Sequence, residues 1–321
     1  GYFTKHDCQR RRGLEYFETE KESLSKMLFD FSILSPGERQ YYLQNAIAPR
    51  PICFASTIDK AGAVNLSPFS FFNVFSANPP IVVFSPARRV RDNSTKHTLE
   101  NVLEVPEVVI NIVTLDMVQQ QSLASCEFPK EVDEFEKAGF TPVKSTRIQP
   151  PRVKESKIQL ECRVNEVKPL GTQGGAGNLV ICEVLCMHID DSLLDANQKM
   201  DPRQLPLVAR LGGDWYTVVN EQSLFQVPKP NTELGMGIDA LPVSIRNSKI
   251  LSGNDLGQLA NLTTIPLVDP AFQDDHLKQI IQYFSLNPEE MEKELHRHAS
   301  SLLAKGETQA AWQVLLSSIV S

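Results

Sequence analysis

The chain has 321 residues, 41% hydrophobic and 22% charged, with a formal net charge of −7 at pH 7. These values fit a globular protein of one large or two ordinary domains with a sizeable core. The acidic balance argues against nucleic-acid binding through a general positive field. Six cysteines (Cys8, Cys53, Cys126, Cys162, Cys182 and Cys186) form no CxxC pair. Their scatter through apolar runs excludes a disulfide scaffold and predicts reduced, mostly buried thiols, as in a cytoplasmic protein. No run of about 18 uncharged apolar residues predicts a membrane helix, and the N-terminus lacks the apolar core of a signal peptide.

Residues 1–26 are polar and charged, with no clear apolar pattern; a surface helix and an unstructured segment both fit. Ser35-Pro36-Gly37-Glu38 predicts a helix start with a capping box, and the helix runs to about Ala46. Strands are expected at 51–57 and about 63–66, joined at Asp59–Gly62. Another is expected at 80–85, apolar throughout and so buried on both faces. Asp92-Asn93-Ser94-Thr95 reads as a cap cluster opening a helix from Lys96 to Leu103. A strand at Glu107–Val113 and a helix at Asp116–Ser125 follow. A short helix at 133–139 should end at Gly139 in the left-handed conformation. Two long strands, Ile158–Val167 and Asn178–Ile189, flank the glycine-rich stretch Gly171–Gly177. That stretch lacks a following Lys-Ser/Thr and joins two strands, so it reads as a hairpin loop and not a nucleotide loop. Arg210–Tyr216 is a turn into a last short strand.

Many hairpin-linked strands with few helical crossovers predict a mainly β fold, a β-barrel with peripheral helices. Past Pro228-Lys229-Pro230 the character changes, first to loops and then to helices from Asp274. Asn287-Pro288 starts one helix and Gly306 splits a helical pair ending near Val320. The expected organisation is an N-terminal segment at 1–34, a barrel domain at 35–228 and a helical C-terminal extension at 229–321.

The segment Asn65–Asn73 is dense in small hydroxyls and aromatics. It reads equally as a cradle for a planar ring with a phosphate or as a bulged core strand. Arg88, Arg89, Arg91, Lys96 and Thr98 surround a predicted helix N-terminus, which reads as a natural phosphate site or, as is commoner for such clusters, a solvated basic loop. Of the six histidines, His296 and His298 point to different faces of one helix. Cys182, Cys186 and His188 share one face of a strand by alternation. Their spacing matches no familiar zinc arrangement, so no metal is expected. No G-x-S-x-G elbow occurs, and no protein nucleophile, acid or base is assigned. Cys126 and Glu127 lie in a loop that could face the cleft.

Taken in order, these motifs resemble the flavin reductase-like family with the FMN-binding split barrel, which includes flavoredoxins and reductase components of two-component monooxygenases. The resemblance covers about residues 30–255. It rests on Ala48-Pro49-Arg50-Pro51-Ile52 with Ser56-Thr57, Asn65–Phe72, Asn78-Pro79-Pro80, and Lys96-His97-Thr98 with Asn101. Glu107–Asn111, Asp133-Glu134-Phe135, Pro151–Ser156, Leu160-Glu161-Cys162 and Arg210–Tyr216 complete it. The resemblance implies a homodimer of split barrels with one FMN per subunit near the interface. Ser56, Thr57, Asn65, Ser67, Pro68, Phe69, Ser70, Phe71, Phe72, Ser85, Pro86, Arg88, Lys96, His97 and Thr98 are the implied cofactor residues. His188 and Trp215-Tyr216 are candidates to complete a partner's site. The family often carries aspartate where this chain has His97. The implied activity is hydride transfer from NAD(P)H to bound or exchangeable FMN. A flavoredoxin-like electron carrier is the alternative. A monooxygenase or another electron-transfer protein is the implied partner.

Overall fold

The computed structural model describes residues 27–227 and 233–317. The expectations for residues 1–26, for the Pro228-Lys229-Pro230 boundary and for the chain beyond Ser317 lie outside these. The chain divides into two compact units, one ending at Leu224 and the other starting at Phe225.

In the first unit, α1 (Pro36–Ala46) begins as the sequence predicts. The Ser35 hydroxyl accepts from the Glu38 amide and the Glu38 carboxylate accepts from the Ser35 amide, a reciprocal capping box. After β1 (Arg50–Pro51), strand β2 (Cys53–Ile58) turns through Asp59 into β3 (Val64–Phe69). The Asp59 carboxylate accepts from the amides of Ala61 and Ala63, which sets the turn. β4 (Phe72–Ala77) and β5 (Pro80–Phe84) form the next hairpin, followed by α2 (His97–Glu104) and β6 (Glu107–Ile112). A 3₁₀ turn leads into α3 (Val118–Leu123), then come α4 (Glu134–Ala138), β7 (Pro142–Val143) and β8 (Arg152–Val153). The long strands are β9 (Ile158–Pro169) and β10 (Asn178–Ile189), followed by β11 (Val208–Arg210) and β12 (Tyr216–Val218). Gly139 ends α4 with φ of 70°, the left-handed cap its position predicts.

Seven strands form one antiparallel sheet in the order β3-β2-β6-β9-β10-β5-β4. β1, β11 and β12 form a second, small sheet. Among the described residues the seven-stranded sheet does not close, because its outer strands β3 and β4 do not pair with each other. The barrel expectation is therefore met as a large antiparallel sheet with helices, not as a closed cylinder.

One face of this sheet packs Cys53, Phe69, Phe84, Ile110, Leu160 and Cys182 into a core. A separate core gathers Phe54, Leu66, Met117, Phe135 and Phe140. Burying one such Phe contributes about 1.5–3 kcal/mol. β5 departs from expectation. It is not buried on both faces: Val82 and Phe84 are buried while Ile81 and Val83 are half-buried. It lies between β10 and β4, one strand in from the sheet edge.

The register of β9 with β10 carries the most consequential irregularity. Val184 pairs with Cys162 and Cys186 with Glu161, so Leu185 is an extra residue, a β-bulge. Before it, Cys182 and Val184 pack into the sheet core; after it, Ile189 does. The bulge thus reverses the alternation. Cys186 and His188 do not share a face with Cys182, as strict alternation predicts, but turn to the side of Glu161.

The second unit is helical: α5 (Val243–Arg246), α6 (Gly253–Leu259), α7 (Asp275–Tyr283), α8 (Pro288–Leu303) and α9 (Thr308–Leu316). Asn287 caps α8 by accepting from the Glu290 amide, and Gly306, with φ of 79°, separates α8 from α9. Trp312 is fully buried at its centre among Leu259, Leu295 and Leu303. His296 and His298 do separate: His296 Nδ1 lies 2.7 Å from the Ser248 hydroxyl, and His298 Nε2 lies 2.8 Å from Asp274. No helix of the described residues is long and apolar enough to cross a membrane.

Candidate functional site

Asn65, Ser67, Arg89, Lys96, His97, Thr98, Ser125, Cys126, Glu127, Phe128 and Glu134 converge on one small pocket. β3 supplies Asn65 and Ser67. The start of α2 supplies His97 and Thr98, with Lys96 as its N-cap residue. The expected cap cluster does not cap this helix. Asp92 folds onto the Ser94 amide and hydroxyl, while Arg89 reaches the Ser94 hydroxyl and the Thr95 carbonyl. Lys96 caps with no side-chain bond, which leaves the helix start open toward the pocket.

A hydrogen-bond chain fixes the polar groups. The Glu134 carboxylate accepts from Asn65 Nδ2 at 2.9 Å and from the Leu66 amide at 3.0 Å. Asn65 Oδ1 accepts from the Thr98 hydroxyl at 2.6 Å. Behind these, Asn101 Nδ2 donates to the Thr57 hydroxyl. Burial pushes the Glu134 carboxyl above its usual range, against the Leu66 amide, which acts to lower it. Burial, then the neighbouring Arg89 charge, hold Lys96 below the usual lysine value. Arg89 and Arg91 both pair with Glu127 across the pocket mouth, at 2.9 and 2.8 Å. Cations beside an open helix N-terminus bind anions, phosphate above all.

The structure brings together Asn65, Ser67, Lys96, His97 and Thr98 from the sequence reading. Arg88 turns elsewhere: its Nε donates to Asn93, and Arg89 takes its place in the pocket. Ser56 and Thr57 are fully buried in β2. Phe69 packs in the sheet core against Phe84, ring centroids 5.4 Å apart. Pro68 and Ser70 are half-buried, Phe72 borders the core, and Phe71 is exposed. Ser85 is buried where its amide meets the Phe71 carbonyl, and the Pro86 carbonyl accepts from Asn178. The glycine loop docks here through its backbone: the Gly175 amide donates to the Arg88 carbonyl and the Arg88 amide to Ala176. A Cβ at Gly174 would lie 3.0 Å from the Arg89 and Val90 backbone, so a close approach requires glycine there. His188 lies outside the pocket lining, with Nε2 2.7 Å from Glu161. Trp215 is exposed and Tyr216 lies under the Arg210 guanidinium at 4.5 Å.

Sequence reading missed Glu134, Ser125 and Phe128 as site residues. Asp133-Glu134-Phe135 signalled the first, but a carboxylate beside a phosphate site looks repulsive until its two N–H donors are seen. A second cleft of about 470 Å³, lined by Pro51, Ile112, Leu207, Val218 and neighbours, carries no charged residue.

This fold belongs to a recognisable class. Residues 46–206 match the flavin reductase like domain, and the chain belongs to that family. It is 38% identical to an uncharacterized protein of Aquifex aeolicus strain VF5 over 170 residues, 53% of this chain and 84% of that one. It is 37% identical to an uncharacterized protein of Halalkalibacterium halodurans over 199 residues, 61% of this chain and 93% of that one. Nitrilotriacetate monooxygenase component B from Bacillus cereus superposes with a TM-score of 0.60 at 28% identity, covering 64% of this chain and all of that one. The 2-nitrobenzoate 2-nitroreductase of Pseudomonas fluorescens shares the fold, with a TM-score of 0.56 at 24% identity over 63% of this chain and 96% of that one. Flavin-linked redox chemistry is the functional class of this family.

Proposed function

We propose that the chain is an FMN-dependent oxidoreductase that takes hydride from NAD(P)H. The observation that carries this reading is the convergence of Lys96, Arg89, the open start of α2 and the Asn65–Thr98 pair on one pocket. These donors suit the phosphate of FMN: two cations, a hydroxyl at Ser67 and free helix-terminal amides. The pocket, about 20 Å³, has room for about one water molecule. The phosphate would take the place of the surface carboxylate of Glu127 on Arg89, exchanging one anion for another. Bound FMN would supply the two-electron redox chemistry. The protein's own groups would hold the phosphate, orient the ring and leave a face open to the nicotinamide. No side chain is required to move a proton.

A second copy of the chain is part of this reading. Support comes from outer strand β4, where Val74 and Phe75 are 67% and 68% exposed beside exposed Phe71. Unpartnered apolar strand edges seek cover. A partner that consumes the electrons, such as a monooxygenase, fits the class.

The test is a titration of the purified chain with FMN and with riboflavin, followed by steady-state NADH and NADPH oxidation. FMN should bind more tightly than riboflavin, since only FMN carries phosphate. Equal affinity for both would overturn the phosphate assignment. FMN binding without nicotinamide oxidation would instead define an electron carrier.

A further inference from the structure

The bulge in β10 builds a second polar constellation, outside the anion pocket. It places Cys186 opposite Glu161 across the β9–β10 ladder, with His188 two residues on along the same face. His188 Nε2 lies 2.7 Å from Glu161 Oε1 and 3.9 Å from Cys186 Sγ, and the three donor atoms all lie within 4.8 Å of one another. Sulfur, imidazole nitrogen and carboxylate oxygen therefore meet at one point. We propose that Glu161, Cys186 and His188 bind one divalent transition-metal ion of the zinc class.

The donor set is that of a borderline-soft metal. Zinc takes thiolate, imidazole and carboxylate at about 2.0–2.3 Å, which sets tetrahedral donors roughly 3–4 Å apart. The 2.7 Å edge falls just short of that spacing and the 3.9 Å edge lies within it, so small side-chain shifts admit the ion. Glu161 is fully buried and braced from behind, its two oxygens accepting from the amides of Thr146 and Arg147 at 2.7 and 2.6 Å. Metal-ligating carboxylates are held in this way. Cys186 and His188 are only half-buried, which leaves an entry path and a fourth position for solvent. Charge closes as well: thiolate and carboxylate neutralise a divalent ion. The nearby Arg152 guanidinium is already engaged by Gln159 at 3.0 Å and sits 3.9 Å from Glu161. On binding, the thiol proton leaves to solvent, and His188 ligates through Nε2 as the neutral imidazole that carries its proton on Nδ1.

Metal binding here can be tested without the flavin reading. The full chain carrying Cys8→Ser and Cys126→Ser is stripped with a chelator and titrated with cadmium, following the ultraviolet thiolate-to-cadmium band and the heat of binding. One ion per chain should bind with the band, and Cys186→Ser should abolish the band. His188→Gln and Glu161→Gln should each weaken binding by about tenfold or more. Circular dichroism reports whether each variant folds. If Cys186→Ser does not fold, His188→Gln decides. No band on titration, an undiminished band in Cys186→Ser, or unchanged affinity in His188→Gln would each overturn the proposal and leave a plain His–Glu contact.

Discussion

Replacing Glu134 by glutamine isolates the role of its buried carboxylate. The two oxygens each accept one N–H, from Asn65 Nδ2 and the Leu66 amide. Glutamine keeps one acceptor and turns its own NH₂ toward the other donor. One buried donor is then unpaired, at a cost of about 1–3 kcal/mol. Relief of the carboxylate's burial, which holds its pKa above the usual range, works against this and puts the loss in the lower half of that span. The first unit should lose roughly 2–8 °C in Tm, read by near-ultraviolet circular dichroism. The sign with pH is also set. A carboxyl with a raised folded pKa binds protons before the unfolded chain does, so wild type should gain on Glu134→Gln as pH falls through that raised value and down to the ordinary carboxylate value. Because Asn65 Oδ1 holds the Thr98 hydroxyl, a turned Asn65 amide also costs FMN affinity. Equal Tm values together with identical FMN titrations would refute the reasoning.

Lys96→Ala should weaken FMN binding roughly tenfold or more through loss of a charge-assisted contact, while riboflavin binding stays unchanged; parallel titrations by flavin fluorescence check this. Burial holds His296 below the ordinary histidine value, so the folded helical unit keeps the ring neutral. The unfolded chain then binds more protons, and stability is complete above about pH 6.5 and lost as pH falls below it. Denaturant melts of the helical signal at pH 7.5 and 5.5, wild type against His296→Gln, should show a gap that narrows at the lower pH. Trp312→Ala, at a fully buried position, should cost the helical unit about 3–5 kcal/mol in the same melts.

Burial also settles what the cysteines can do. Cys182 is pushed up to about 12, and Cys53 and Cys162 are raised too, all by burial. Thiols so protonated are inert. Cys126, at the pocket, is the exposed thiol among the described residues, and Cys186 is half-buried.

Sequence alone determined what is local. The capping box at Ser35, the Asp59 turn, the left-handed Gly139 and the long β9–β10 hairpin each follow from short-range preferences of cap, turn and β-branched residues. The hydroxyl-rich Asn65–Ser67 and the basic Lys96 were legible because their chemistry is unusual for a core strand and a helix start. Tertiary structure decided what depends on pairing. Arg89, and not Arg88, faces the pocket because backbone bonds from the glycine loop fix that turn. Glu134 belongs to the site because α4 delivers its carboxylate to two amide donors on β3. The extra residue Leu185 sends Cys186 and His188 to Glu161, away from Cys182. Alternation along a strand is local, but the register that interrupts it belongs to the partner strand, so no reading of β10 alone could place that turn.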